Sequence, residues 1–123
     1  MNIEEVRDYC LSVKGSEESM PFDEHTLVYK VMGKMFAYIT LKPKSGRLNL
    51  NLKCDPERNI ELQEKYEGVV RCDHSKGLMW NSVYIESDVP DSLLKELINH
   101  SVEEVVKKLP KVKRADYNNL PDN

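Results

Sequence analysis

The sequence predicts an α+β fold of two layers, in which helices cover one face of a β-sheet. Two observations carry this prediction. Apolar residues recur at helical spacing in three stretches, although the second is weak, and they alternate with polar residues in most of five shorter stretches. The predicted order of elements is α-β-β-β-α-β-β-α, and a length of 123 residues suits a single domain.

The first half of the chain reads as one helix followed by three strands. Asn2 and Glu5 have the spacing of a capping box, and the helical pattern after them ends at Gly15. Turn residues then separate short stretches of β-forming residues. The predicted strands cover residues 26–32, 34–42 and 47–53.

The third predicted strand, residues 47–53, has the clearest pattern. Its leucines alternate strictly with polar residues, which predicts one apolar and one wet face. Asp55-Pro56 then ends the strand and opens a helix, because proline suits the first helical position and aspartate can accept hydrogen bonds from its amides.

The second half reads as two helices around two strands, with a tail. The last helix has the longest apolar stripe, and Pro90 and Pro110 mark its ends. We expect one domain over residues 1–114 and a frayed polar tail over residues 115–123. The remaining elements are a helix over residues 56–67 and strands over residues 69–72 and 79–86.

Composition excludes several classes of protein. No apolar run approaches the roughly 20 residues that span a bilayer, and the acidic first residues are unlike a signal peptide, so we expect a cytoplasmic protein. Cys10, Cys54 and Cys72 form no C-x-x-C pair, which fits reduced thiols. The irregular Cys72 and His74 spacing and the acidic first helix predict no metal site, and we expect no cofactor.

Charge is segregated along the chain although the net charge is only −3. Residues 28–58 hold seven cations and two anions, whereas residues 1–27 hold two cations and seven anions. The basic block could form a binding patch, or it could be one of several charged faces that keep the protein soluble.

The chain resembles the MmcQ/YjbR family of small bacterial proteins over roughly residues 1–114. Six short motifs carry the resemblance: Pro21-Phe22, Gly33-Lys34-Met35-Phe36-Ala37, Lys53-Cys54-Asp55-Pro56, Gly68-Val69, Trp80-Asn81-Ser82-Val83 and Leu109-Pro110-Lys111. Between Gly68 and Trp80 the chain departs from the usual family pattern, and only His74 and Trp80 keep their places.

This resemblance implies a CyaY-like fold, similar to the architecture of secretion chaperones, and with the element order it leads us to expect an antiparallel five-stranded sheet. It also implies DNA binding through loops and implies no enzymatic activity. We therefore expect a non-enzymatic DNA-binding protein. The alternative is a protein-interaction or chaperone-like module that holds a peptide or a second copy of the chain.

The strand pattern predicts a wet sheet face that combines cations, amides and aromatic rings. Such a face could stack bases and hold phosphates, or its rings could simply pack against each other across strands. Predicted for this face are Lys30, Lys34, Phe36, Tyr38, Thr40, Lys42, Arg47, Asn49, Asn51, Lys53, Trp80, Ser82, Tyr84 and Glu86.

The loop from Lys42 to Arg47 is the better candidate for contact with phosphates, although lysines at a hairpin tip also discourage edge pairing. The candidate nucleic-acid-binding residues are Lys30, Lys42, Lys44, Arg47, Asn49, Asn51, Lys53, His74, Lys76 and Trp80.

Overall fold

The computed structural model describes residues 1–72 and 79–121 and contains a six-stranded sheet whose paired strands are all antiparallel. The strands are β1 (Glu17–Ser19), β2 (Thr26–Val31), β3 (Lys34–Thr40), β4 (Asn49–Lys53), β5 (Val69–Arg71) and β6 (Trp80–Tyr84). They lie in the order β1-β2-β3-β4-β6-β5. The three-residue strands β1 and β5 therefore form the edges of the sheet. Short edge strands limit unwanted pairing with another chain.

In the described part of the chain, four helices accompany the sheet: α1 (Ile3–Ser12), α2 (Pro56–Lys65), α3 (Asp91–Val106) and α4 (Lys111–Asn118). The predicted capping box of α1 is confirmed, because the side chains of Asn2 and Glu5 each accept a hydrogen bond from the other residue's backbone amide. The predicted start of α2 is also confirmed, with Pro56 in its first turn and the Asp55 carboxylate accepting from the Arg58 amide.

Helix α3 packs across the centre of the sheet and supplies much of the core. Leu94, Leu97 and Ile98 on this helix are buried against strand residues such as Ile39 and Leu50. Ser101 fastens the helix to two strands, since its hydroxyl donates to the Phe36 carbonyl at 2.5 Å and accepts from the Lys53 amide at 2.9 Å. The two-layer α+β prediction is confirmed at this level.

The prediction of five strands is wrong, because residues 17–19 form an additional edge strand. Their sequence is polar and short, so hydrophobic alternation gives no signal there. Side-chain contacts hold the segment in place instead. The Glu18 carboxylate accepts hydrogen bonds from the Arg7 guanidinium, twice at 2.8 Å, and from the Tyr29 hydroxyl at 2.8 Å.

The frayed tail expected from residue 115 is also not what the structure shows. Helix α4 continues to Asn118, and the Tyr117 side chain is buried in the core cluster. Lys14 lies over the Tyr117 ring, with its ammonium nitrogen 4.9 Å from the ring centroid. The helix is too short and too polar for periodicity to reveal it, and one buried aromatic residue carries its contact with the core.

A β-bulge overturns the predicted orientation of Phe36. Ala37 lies opposite Tyr29 and Met35 lies opposite Lys30, so Phe36 is the extra residue in β3. The bulge turns the Phe36 ring away from the open face and into the core, where the ring is fully buried with its centroid 6.3 Å from that of Tyr29. Within the described ranges, no helix is both long and apolar enough to cross a membrane.

Candidate nucleic-acid interface

The hairpin loop between β3 and β4, residues 41–48, projects the most exposed group of predicted cations. We call these eight residues the basic loop. The Gly46 amide donates to the Pro43 carbonyl at 3.0 Å, and Gly46 has a φ of +75°, which glycine adopts without strain. This turn leaves Lys42, Lys44 and Arg47 exposed to solvent.

Arg47 is held at the base of the basic loop by an aromatic ring. Its guanidinium carbon lies 4.0 Å from the centroid of the Tyr84 ring on β6. The cation–π contact restricts the side chain without consuming its hydrogen-bond donors, so these donors can still reach an anion. Asn49, which is opposite Tyr84 in the sheet register, is half-buried beside this pair.

Asn51, in the middle of the predicted solvent-exposed face, is buried. Asn51 is 3% exposed, and its side-chain oxygen accepts from the Ser82 hydroxyl at 2.5 Å and from the Cys72 thiol at 3.4 Å. Its amide nitrogen donates to the Tyr38 carbonyl and to the Asn49 side chain, both at 3.3 Å. The prediction that Asn51 lies on a solvated surface is wrong, because the side chain has its hydrogen bonds inside the sheet.

The aromatic residues of this face pack against each other. The Tyr38 and Trp80 ring centroids are 5.7 Å apart, with the planes tilted by 50°, and both residues are half-buried. The Tyr38 hydroxyl is 3.2 Å from the Cys72 thiol. This arrangement is the cross-strand packing that the sequence left open as an alternative to base stacking.

Lys53 lies at the opposite end of strand β4 from the basic loop. Burial lowers its pKa, and the nearby Lys108 ammonium lowers it further, while Glu104 acts in the opposite direction. These neighbours place Lys53 near the C-terminal end of α3. Lys30 lies at the same end of the sheet as Lys53, in register with Glu17 on the edge strand β1.

The structure therefore divides the predicted interface into two groups. Lys42, Lys44, Arg47 and Asn49 gather at one end of the sheet, whereas Lys30, Lys53 and Trp80 lie toward the other. Asn49 and Lys53 are four residue steps apart along β4, which corresponds to about 13 Å. His74 and Lys76 fall outside the residues that the structure describes.

Acidic residues border the basic loop. The Leu41 amide donates to the His25 carbonyl at 2.6 Å, which brings the loop beside exposed Asp23 and Glu24. The His25 backbone amide lowers the pKa of Asp23, so this carboxylate stays ionised at neutral pH. The cationic surface is consequently local and has an anionic margin.

An exposed apolar group was missed by sequence reasoning. Phe22 is 69% exposed, and Met20 and Leu41 are exposed near it at the same end of the sheet. The sequence carries a signal for it, namely apolar residues inside an otherwise polar connection over residues 16–25. Large exposed side chains of this kind occur at interaction sites.

Comparison with known proteins agrees with the motifs. The family model YjbR matches residues 11–103. The chain belongs to the YjbR family. It is 31% identical over 114 residues to YjbR of Escherichia coli K12, an alignment that covers 93% of this chain and 95% of the relative. It is also 31% identical over 108 residues to YbdF of Escherichia coli O157:H7, covering 88% of this chain and 87% of that protein.

Two solved structures share the fold of this chain. The crystal structure of Deinococcus radiodurans protein DR2400, a DUF419 domain, aligns with a TM-score of 0.84 and 34% identity, covering 99% of this chain and 91% of that one. A protein from Pseudomonas syringae aligns with a TM-score of 0.71 and 20% identity, covering 82% and 96% of the two chains. The second likeness concerns the fold alone.

Proposed function

We propose that this YjbR-family chain is a non-enzymatic protein that binds the phosphate backbone of DNA through the basic loop. One observation carries the proposal. Lys42, Lys44 and Arg47 are exposed on one turn, and none of them forms a salt bridge with any residue in 1–72 or 79–121. Three cations on a short turn, with no salt-bridge partner among these described residues, suit contact with successive phosphates.

The surroundings of the basic loop limit the kind of binding we propose. Asn51 has its donors and acceptor engaged inside the sheet, so it is unsuited to reading base edges. The net charge of −3 and the acidic margin at Asp23 and Glu24 oppose a broad polyanion surface. We therefore propose local contact with phosphates that does not depend on base sequence. The affinity of such binding falls strongly as the salt concentration rises.

The finer assignments that the family resemblance implied belong to the same proposal. We propose a CyaY-like arrangement of the α+β fold and a cytoplasmic location, where a protein of this kind would meet DNA. The helix layer on one face and the six-stranded antiparallel sheet support the first of these assignments.

Fluorescence anisotropy with a labelled 20-base-pair duplex tests the proposal. The affinity is expected to fall linearly with salt on logarithmic axes, and replacing Lys42, Lys44 and Arg47 by Gln should flatten the slope. Each lost phosphate contact reduces the slope by about 0.9, so the triple variant should lose up to roughly 3.

A triple variant with Lys65, Lys95 and Lys113 replaced by Gln is the matched control. It removes the same charge from exposed positions on the helices, away from the basic loop. If it weakens binding as much as the loop variant does, only the net charge matters and the loop has no special role. Absence of binding by the unmodified protein at 20 mM salt would refute DNA binding altogether.

A protein-interaction module is the second candidate, and the exposed apolar group favours it. Met20 and Phe22 lie at the same end of the sheet as Leu41, the first residue of the basic loop. The three side chains could pack against a partner peptide or a second copy of the chain. Sedimentation velocity of the unmodified protein and of Phe22→Ser tests whether the partner is a second copy of the chain. A dimer that Phe22→Ser converts to monomer supports self-association, whereas a monomer in both samples rules it out.

A further inference from the structure

An apolar cavity lies between the end of α1, the second half of α3 and α4. Its volume is about 490 Å³. The floor consists of Val13, Val102, Val106 and Tyr117, and helix α4 contributes one wall. Ligand pockets commonly measure about 300–1,000 Å³ and have mostly apolar linings, so this cavity has the size and surface of a small-molecule site.

The rim of the cavity is cationic. Lys14, Lys107 and Arg114 line it, against a single carboxylate from Glu103. The positive excess sits in a chain whose net charge is −3, so the rim differs from the average surface of the protein. An apolar floor below a positive rim suits a molecule with an apolar body and an anionic head.

Two of the three rim cations, Lys14 and Arg114, have only long hydrogen bonds to backbone carbonyls among the described residues. The Lys14 ammonium donates to the Asn118 carbonyl at 3.4 Å, and the Arg114 guanidinium donates to the Leu109 carbonyl at 3.3 Å. Lys107 pairs with Glu104 while its own side chain is 62% exposed. Lys14 and Arg114 therefore keep donors that can be directed toward an anion, and the guanidinium can hold a carboxylate through two hydrogen bonds.

We propose that this cavity binds a small amphipathic carboxylate. The apolar body lies on the floor against Val102, Val106 and Tyr117, and the carboxylate lies at the rim between Arg114 and Lys14. The cavity is formed by helices and by the residues that follow α1, so it is separate from the basic loop, and this site does not depend on DNA binding.

Displacement of 1-anilinonaphthalene-8-sulfonate tests the proposal, because this probe joins an apolar ring system to an anionic head. The folded protein should enhance its fluorescence, and decanoate below its critical micelle concentration should displace it. Decanol, which has the same chain length without the charge, should compete at least 10-fold less well. Equal competition by decanol would refute the requirement for an anionic head.

Two sets of variants locate the site. Arg114→Gln with Lys14→Gln should weaken decanoate at least 10-fold, whereas Lys111→Gln with Lys113→Gln removes the same charge from exposed positions outside the cavity and should leave it unchanged. Equal weakening by both pairs would overturn the proposed head-group position.

Val106→Phe fills the cavity from a half-buried position, and circular dichroism checks that this variant is folded. Loss of probe binding by the folded variant supports the site. If Val106→Phe binds the probe as the unmodified protein does, binding occurs elsewhere and the proposal is wrong. Should Val106→Phe fail to fold, chemical-shift changes on adding decanoate to the unmodified protein decide the location. Shifts that leave Lys14, Val102 and Tyr117 unchanged would refute the proposed site.

Discussion

The Arg47 guanidinium lies against the Tyr84 ring, with 4.0 Å between the guanidinium carbon and the ring centroid. This contact joins the basic loop to strand β6 and orients the one loop cation that can bind phosphate with a planar fork. The position of Arg47 thus depends on a residue that would itself contact no ligand under the proposal.

A double-mutant cycle measures that contact. Arg47→Gln and Tyr84→Leu, singly and together, should give a coupling energy of about 0.5–1 kcal/mol in urea unfolding, the range for exposed cation–π pairs. Tyr84→Phe keeps the ring, so the corresponding cycle with Arg47→Gln should give a coupling energy near zero. A coupling energy of zero in the cycle with Tyr84→Leu would mean that the ring does not hold the guanidinium in solution.

Asn51 is expected to be a stability residue. Asn51→Ala leaves the Ser82 hydroxyl and the Cys72 thiol without their shared acceptor in a buried region, and we expect a loss of about 1–3 kcal/mol. Asn49→Ala, at a half-exposed position two residues away, should cost less than about 1 kcal/mol. Chemical denaturation of both variants decides the matter, and equal losses would contradict the buried network.

These contrasts show what the strand pattern could and could not predict. Strict alternation placed Leu50 and Leu52 in the core correctly, because register on a half-buried strand follows the apolar face. Alternation failed at Phe36, since a bulge adds one residue and changes the face. It also failed to distinguish a half-buried Asn49 from a fully buried Asn51, because that difference depends on Ser82 and Cys72, which are distant in sequence.

The candidate nucleic-acid interface was predicted only in part, because local sequence places a loop but not the packing of distant elements. Local sequence identified the exposed cations of the basic loop, since a turn with proline and glycine projects its side chains. The position of Lys53 near Lys108 and Glu104 could not be read locally, because it follows from where the C-terminal end of α3 packs. The cavity beside α4 could not be predicted from local sequence either, because its lining comes from α3, α4 and the residues that follow α1.

The stability contribution of Glu18 should depend on pH. The Arg7 guanidinium, which donates two hydrogen bonds to Glu18, holds the pKa of this carboxyl below its ordinary value of about 4.3, so the folded state binds its proton less readily than the unfolded chain does. The stabilisation is complete above the unfolded value and is lost as pH falls through the folded value. Glu18→Gln should therefore be less stable than the unmodified protein at pH 7 and closer to it near pH 3.

Urea midpoints at the two pH values provide this measurement. Glu17→Gln is the matched control, because it removes a neighbouring exposed carboxylate on the same strand, for which the structure shows no hydrogen bond or salt bridge within the described ranges. A difference between Glu18→Gln and the unmodified protein that does not change with pH would contradict the ion pair.

The buried thiols predict a loss of stability in alkali. Burial raises the pKa of Cys10 to about 12 and that of Cys54 to about 11, against about 8.5 in an unfolded chain. Above pH 8.5 the unfolded chain releases protons that the folded protein retains, so unfolding becomes more favourable up to the folded pKa. Cys10→Ala with Cys54→Ala should show a smaller drop in urea midpoint between pH 7 and pH 10, and an unchanged drop would contradict the burial of these thiols.

Tyr117 is expected to make residues 115–118 part of the folded domain. Its ring is buried among core residues, and Gly15 lies beneath it with a φ of +73° and 3.5 Å between an idealised Cβ position and the ring. Tyr117→Ala should cost about 3–5 kcal/mol, as large aromatic truncations in cores do. Val112→Ala on the same helix removes a side chain that is 73% exposed and should change stability by less than about 0.5 kcal/mol. If thermal and chemical unfolding show the two variants to be equally stable, helix α4 is not docked in solution, and the cavity that it walls would lose its lining as well.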